Sequence, residues 1–114
     1  KLTTHILDTA YGKPANGVAV RLYRVDEERV LLKEDVTNSD GRLDSPMLDS
    51  ETMAVGKYEI EFDIGGYFRD LGAPMDEPAF IDDVVLRFGI SDAEQHYHVP
   101  LLASPWSYST YRGS

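Results

Sequence analysis

The stretch that decides the fold is His96-Tyr97-His98-Val99-Pro100-Leu101-Leu102-Ala103-Ser104-Pro105-Trp106-Ser107-Tyr108-Ser109-Thr110-Tyr111-Arg112-Gly113-Ser114. Its pattern predicts two short strands joined by a turn at Ser104-Pro105, since proline presets the backbone for such a turn. Alternation puts every second residue from Tyr97 to Ala103 on one face, which is an ordinary core face. The opposite face mixes the imidazoles of His96 and His98 with a proline and a leucine. We therefore expect that face to be covered by a ligand or a partner subunit.

The composition is that of a single globular domain, and it excludes several functions. The 114 residues suffice for one core, and no apolar run approaches the length that spans a bilayer. Cysteine is absent, so no disulfide or thiolate metal site is possible. The formal net charge of -9 argues against a nucleic-acid partner, which would require a basic surface. The chain begins at Lys1 without methionine, which leaves open a removed upstream segment.

The pattern upstream of the terminal hairpin predicts short strands separated by turns. They are expected at residues 2–9, 18–24, 29–36, 57–63 and 80–90. One or two turns of helix are expected at residues 65–71, with Gly72 at the position that ends it. The pattern predicts an all-β sandwich of seven or eight strands with one short helix, in a single domain covering residues 1–114.

Two of these elements carry specific expectations about packing. In the strand at 57–63, alternation directs Tyr58 and its second neighbours inward and directs Glu59 into water. In the helix, Tyr67, Phe68 and Leu71 share one side, which we expect to pack on the core.

The candidates for chemistry are histidines on two strands and an arginine that follows a turn. His5 shares its face of the first strand with Leu7, and His98 shares its face with Pro100, so these faces coincide if both strands lie in one sheet. Two imidazoles in a shielded cleft supply a base and an acid near neutral pH without a metal. Zinc would need three or four ligands, so a metal site is not expected. Arg42 would add a fixed cation for a developing oxyanion, although a solvated surface charge is the ordinary alternative.

Several segments together carry a resemblance to a known family. They are Leu2-Thr3-Thr4-His5-Ile6-Leu7-Asp8-Thr9, Gly12-Lys13-Pro14-Ala15, Thr37-Asn38-Ser39-Asp40-Gly41-Arg42, His96-Tyr97-His98-Val99-Pro100-Leu101-Leu102 and Tyr111-Arg112-Gly113-Ser114. On these residues the chain resembles the transthyretin-like proteins that act as 5-hydroxyisourate hydrolases in urate degradation. The resemblance runs the whole length, and the terminal tetrapeptide with the His-Tyr-His-Val-Pro run is its most specific part.

The resemblance implies a prealbumin-type, or transthyretin-like, two-sheet sandwich that assembles as a homotetramer. Active sites would line a channel between the two dimers. The family's catalytic set falls on His5, Arg42 and His98, and the same residues would bind the substrate together with Tyr111 and Ser114. The substrate would be a small purine-derived molecule, with no cofactor, no metal, no nucleic acid and no membrane involved.

The implied reaction is hydrolytic opening of the six-membered ring of 5-hydroxyisourate. One imidazole, here taken to be His5, orients or deprotonates a water that attacks the ring carbonyl next to nitrogen. Arg42 steadies the oxyanion, and His98 binds the substrate edge or carries the proton to the leaving nitrogen. Which histidine is the base stays open. His96 belongs to the same motif, but His98 is preferred because it sits deeper in the strand.

Two other functions fit the same sandwich. A transthyretin-like carrier would bind a small hydrophobic ligand in the channel between dimers, although such a channel has no need of two imidazoles and a guanidinium. An interaction domain would use the histidine faces only to join subunits and would hydrolyse nothing. The expected compartment is the bacterial cytoplasm, with the periplasm and the peroxisome as alternatives.

Overall fold

A computed structural model describes all 114 residues, and it confirms an all-β sandwich with one short helix. Each of the two sheets has four strands. No helix is long and apolar enough to cross a membrane. In chain order the elements are β1 (Leu2–Asp8), β2 (Lys13–Pro14), β3 (Ala19–Arg24), β4 (Val30–Val36), β5 (Gly56–Asp63), α1 (Ile64–Asp70), β6 (Asp83–Ile90), β7 (Tyr97–Ala103) and β8 (Tyr108–Thr110).

The first strand lies inside its sheet, next to the penultimate strand of the chain. The first sheet has the order β2-β1-β7-β8 and the second has the order β4-β3-β5-β6. Strands β1 and β7 run parallel, with Thr3 opposite His98 and His5 opposite Pro100. Residues that pair across a sheet point to the same side of it. The expectation that the faces of His5 and His98 coincide is therefore confirmed.

The core lies between the two sheets and follows the predicted alternation. Val18, directly before β3, is fully buried, as are Val20 and Leu22 in β3 and Ile60 and Phe62 in β5. Cutting one such large side chain back to alanine typically costs about 2–5 kcal/mol. This packing fixes which side of each strand faces outward, and thereby puts His5 and His98 on the outer face of the first sheet.

Two expectations about packing are wrong. Glu59 is only 8% exposed, because its carboxylate lies between two guanidinium groups, 3.1 Å from Arg29 Nε and 2.8 Å from Arg87 Nη2. Hydrogen bonds from Arg29 and then Arg87 lower the pKa of Glu59. Leu71 is exposed rather than packed, because α1 ends at Asp70 and Leu71 is the residue that caps it. Gly72 follows with a φ of 75°, as expected of a residue that ends a helix.

Candidate active site

Arg42 reaches the site through a tight turn that docks on β1. The side-chain oxygen of Asn38 accepts hydrogen bonds from the N–H groups of Asp40 and Arg42, at 2.9 and 3.3 Å. The Gly41 carbonyl accepts from the Ile6 N–H at 2.8 Å, and the backbones of His5 and Arg42 form a bridge. Gly41 has a φ of 75°, and a Cβ there would collide with the carbonyl oxygen of Ile6. Only glycine fits this approach, so it sets Arg42 beside His5.

The ring of His5 is held in one orientation by the same turn. Its Nε2 lies 2.9 Å from the main-chain carbonyl oxygen of Asp40. A carbonyl only accepts, so Nε2 carries the proton and donates. The other nitrogen, Nδ1, makes no hydrogen bond to the protein and keeps its lone pair free. His5 is thus arranged to accept a proton at Nδ1.

The ring of His98 contacts the first strand and a second histidine. Its Nδ1 lies 2.8 Å from the hydroxyl oxygen of Thr3, its partner across the β1–β7 pair. The ring of His96 stacks beside it, with centroids 6.5 Å apart. His96 is exposed, whereas His98 is half-buried, as the preference for His98 assumed. The second nitrogen of His98, Nε2, makes no hydrogen bond to the protein.

Both imidazoles of the site are held neutral. Burial is the largest cause that lowers the pKa of His5, followed by the charge of Arg42. Burial also lowers the pKa of His98 most, followed by Arg42 and then by the other two histidines. Main-chain contacts with Asp40 at His5 and with Thr3 at His98 act in the opposite sense. The net shift of the pKa is downward for both rings, so the neutral form of each is favoured near pH 7.

A cleft of about 440 Å³ brings some of the predicted residues together. Arg42, His98 and Ser114 line it, along with His96, and only two of its twelve lining residues are hydrophobic. His5 is not among the lining residues, but it adjoins Arg42 through their backbone bridge. Within one chain the cleft therefore gathers a guanidinium, the imidazoles of His96 and His98 and the hydroxyl of Ser114, with the imidazole of His5 next to them.

Tyr111 lies apart from these residues. It is 61% exposed and lines a second cavity of about 380 Å³, whose walls come mainly from β6, β7 and β8. A contact between Tyr111 and a substrate in the first cleft stays a prediction, and within one chain the two cavities have no lining residue in common.

The tail after β8 is held in place by contacts with β7 and with the loop before it. The guanidinium of Arg112 lies 4.0 Å from the centre of the Tyr97 ring and donates to Gln95 Oε1 at 3.0 Å. The N–H of Gly113 donates to the His98 carbonyl at 2.7 Å. A Cβ on Gly113 would lie 2.7 Å from Cδ2 of His98, so the tail packs directly on this ring. Arg112 and Gly113 thereby bring Ser114 to the cleft.

Two groups at the site were not among the sequence candidates. Thr3 could have been found, because alternation along β1 puts it on the same face as His5. The carbonyl of Asp40 could not, because a main-chain group leaves no mark in the sequence. The histidines belong to no group of three or more metal-ligating side chains; the one such group is formed by Asp63, Asp82 and Asp83 in the other sheet and the loop before β6.

Comparison with known sequences finds one family and close curated relatives. The model of the HIUase/Transthyretin family matches residues 2–113. The chain is 54% identical to 5-hydroxyisourate hydrolase 2 of Rhizobium meliloti, over 100% of this chain and 96% of the relative. It is 53% identical to 5-hydroxyisourate hydrolase of Pseudomonas aeruginosa, over 100% and 91%. It is 41% identical to the mouse 5-hydroxyisourate hydrolase, over 99% and 94%.

Comparison with solved structures finds the same sandwich in proteins of different activity. The crystal structure of (S)-allantoin synthase matches with a TM-score of 0.94 and 48% identity, over 99% of this chain and 43% of that one. Klebsiella pneumoniae 5-hydroxyisourate hydrolase matches with a TM-score of 0.81 and 35% identity, over 99% and 98%. Sea bream transthyretin in complex with thyroxine matches with a TM-score of 0.87 and 26% identity, over 98% and 93%.

Proposed function

The chain belongs to the HIUase/transthyretin family, and on that premise we propose how it works as a 5-hydroxyisourate hydrolase of urate degradation. The proposal concerns the catalytic and substrate-binding roles of its individual residues. The observation that carries it is the shared cleft of Arg42, His98 and Ser114, with His5 adjoining Arg42. These groups provide a base, a fixed positive charge and hydrogen-bond donors, which is what hydrolysis of a cyclic amide requires.

The first step forms the bond between water and the ring carbonyl next to nitrogen. His5 takes the proton of the attacking water at Nδ1, because Nε2 already donates to the Asp40 carbonyl. The carbonyl oxygen becomes an oxyanion, and Arg42 stabilises it with a charge that is permanent at any working pH. Donors placed for such an oxyanion are each worth about 10²–10³ in turnover.

The second step breaks the ring C–N bond. The leaving nitrogen takes back the proton that His5 accepted, so that His5 returns to its neutral state and the proton count balances. His98 binds the substrate edge with its ring, and Ser114 and Tyr111 hold the substrate from the tail. Acid–base help of this kind is typically worth about 10²–10⁴ in rate.

We also propose that the chain assembles as a homotetramer, a dimer of dimers, whose central channel covers the outer face of the first sheet. That face carries His5 and His98 together with apolar side chains, which favours a covered surface over a solvated one. Tyr111 is the residue whose role depends most on assembly, because within one chain it lines a different cavity from Arg42 and His98.

The compartment is proposed to be the bacterial cytoplasm. The support is that Rhizobium meliloti and Pseudomonas aeruginosa provide two of the most similar curated hydrolases. Fractionation of the native host, followed by detection of the chain in each fraction, tests this part separately from the chemistry.

The residue roles are tested by the decay of freshly generated 5-hydroxyisourate, followed by absorbance. His5→Gln, Arg42→Gln and His98→Gln should each reduce turnover by at least about 10²-fold while the far-ultraviolet circular dichroism is unchanged. His96→Gln is the matched control, and its turnover should stay within about tenfold of the parent.

Near-parental turnover of a folded His98→Gln variant would show that His98 has no catalytic role.

The polar lining of the cleft argues against a carrier of hydrophobic ligands, since only two of its twelve lining residues are hydrophobic. Displacement of a bound thyroid hormone by 5-hydroxyisourate, with no hydrolysis, would favour the carrier instead.

A further inference from the structure

Thr3 provides the side-chain hydrogen bond to the ring of His98, and the proposed mechanism does not use it. Its hydroxyl oxygen lies 2.8 Å from His98 Nδ1, across the parallel β1–β7 pair in which the two residues are direct partners. Both residues are half-buried and both contribute to the cleft. Threonine is branched at Cβ and stiff at χ1, so its hydroxyl is held at this distance by its own backbone.

We propose that Thr3 is a positioning residue that donates its hydroxyl proton to His98 Nδ1 and thereby fixes the proton of His98 on Nε2. This inference rests on the proposed function, because it explains how His98 presents a donor to the substrate. The role of Thr3 is indirect, since it acts on the substrate through the ring of His98.

The proton of the Thr3 hydroxyl decides the direction of this hydrogen bond. The hydroxyl makes no other hydrogen bond to the protein, so His98 Nδ1 is the acceptor within its reach. The lone pair of a neutral imidazole is a good acceptor, and the ring is held neutral by burial and by Arg42. If Nδ1 donated instead, the hydroxyl proton of Thr3 would be left without a protein partner in a half-buried position. The hydroxyl competes with the main-chain contact of Thr3, which raises the pKa of His98 by favouring a ring proton, and the position of that proton is therefore measured directly.

The arrangement makes the two histidines complementary. His5 has its proton on Nε2, fixed by the Asp40 carbonyl, and therefore offers a lone pair at Nδ1. His98 has its Nδ1 lone pair occupied by Thr3 and therefore offers an N–H at Nε2. One imidazole can then accept the proton of water while the other donates a hydrogen bond to the substrate, and neither has to change tautomer during turnover.

The tautomer is measured by nitrogen NMR of the histidine side chains in the resting enzyme. At about pH 8, above the usual imidazole pKa of about 6.5, protonated and unprotonated ring nitrogens give separate signals. The signals of His98 are assigned with the His5→Gln and His96→Gln variants. We expect parental His98 to carry its proton on Nε2, Thr3→Val to show a mixture of both tautomers, and Thr3→Ser to restore the Nε2 form.

Kinetics provide the second measurement. Thr3→Val keeps the branched shape and should lower kcat by about threefold to tenfold, the size of one ordinary hydrogen bond, and Thr3→Ser should recover most of it. Thr9→Val is the matched control, because Thr9 directly follows β1 and its hydroxyl also bonds to β7, but it donates to the Ala103 carbonyl. It should leave both kcat and the His98 signals unchanged.

A proton on Nδ1 of parental His98 would overturn the proposal, and so would an unchanged tautomer in folded Thr3→Val. The tautomer is read without substrate, so this failure is distinct from a failure of the proposed function. The latter would appear as an inactive parent or as a fully active His98→Gln variant, whichever tautomer His98 adopts.

Discussion

At the residue scale, burial and the guanidinium of Arg42 both act on the pKa of His5 and of His98. Each lowers the pKa of His5 and of His98, so the site favours the neutral form of both imidazoles. A neutral ring at position 5 can accept a proton, whereas a protonated one cannot. The cation that is proposed to stabilise the oxyanion therefore also keeps the proposed base ready.

Replacing Arg42 should move both titrations. Burial would still lower the pKa of His5 and of His98 in Arg42→Gln, but both pKa values should rise from those of the parent, because the guanidinium that is the second cause of lowering is removed. Proton NMR titration of the ring signals measures both values. Arg69→Gln is the control, since Arg69 pairs with Glu77 and Asp82 instead. Unchanged values in Arg42→Gln would contradict the electrostatic role given to Arg42.

At the scale of elements, the site depends on two segments that contact the β1–β7 pair: the turn that carries Arg42 and the tail after β8. The turn that carries Arg42 adds a backbone bridge at His5, and the tail adds one between Gly113 and His98. Each bridge brings a chemically active side chain to a strand that is itself fixed by the core. At both bridges a backbone segment approaches the strand closely, and a glycine is present at each: Gly41 next to Arg42, and Gly113 itself.

Gly113→Ala should damage the site without unfolding the protein. Its Cβ would lie 2.7 Å from Cδ2 of His98 and displace the ring, which should lower kcat/KM by about tenfold to a hundredfold. The free energy of unfolding should change by no more than about 0.5 kcal/mol, because the tail lies outside the core. Steady-state kinetics and urea unfolding measure the two effects.

The control for this change is Gly89→Ala in β6, where the added Cβ meets only the Gly56 carbonyl oxygen at an ordinary 3.9 Å. Equal loss of kcat/KM in both variants would mean that Gly113 acts through general damage to the sandwich rather than through His98.

Much of this architecture could be predicted because its residues alternate. Val18, Val20 and Leu22 predicted a buried strand face, and the histidines stood out because they broke the same rule on β1 and β7. Glu59 could not be predicted, since its burial depends on Arg29 and Arg87 arriving from elsewhere in the chain. The joining of Thr3 to His98 depends on a register that one strand alone does not contain. The alternation along one strand predicts which side chains face the core. The residues that those side chains contact depend on segments far away in the sequence.

At the scale of the whole molecule, the outer face of the first sheet is the surface that the proposed assembly covers. Leu7 and Leu102 pair across β1 and β7 on this face and are half-buried in one chain. An apolar pair next to two neutral imidazoles is suited to a subunit contact and poorly suited to water.

A charge at Leu102 should therefore split the assembly. The parent should elute with a mass four times that of the 12.8 kDa chain, and Leu102→Lys should give a smaller species with reduced turnover, because a buried unpaired charge is costly. Light scattering after size exclusion measures both masses. Leu31→Lys is the control, because Leu31 is 47% exposed on β4 at the edge of the other sheet. A fully active parental monomer would contradict the tetramer.

The parallel pairing of β1 with β7 also means that β1 is synthesised long before the strand with which it pairs. Thr3 and His98 are 95 positions apart, so at about 5–20 residues per second the ribosome makes one on the order of ten seconds after the other. During that interval β1 lacks its main neighbour and its edge is free to pair with other nascent chains. Until β7 is made, the emerging polypeptide has neither a working centre nor a closed first sheet, and it is in this window that a chaperone would be of most use.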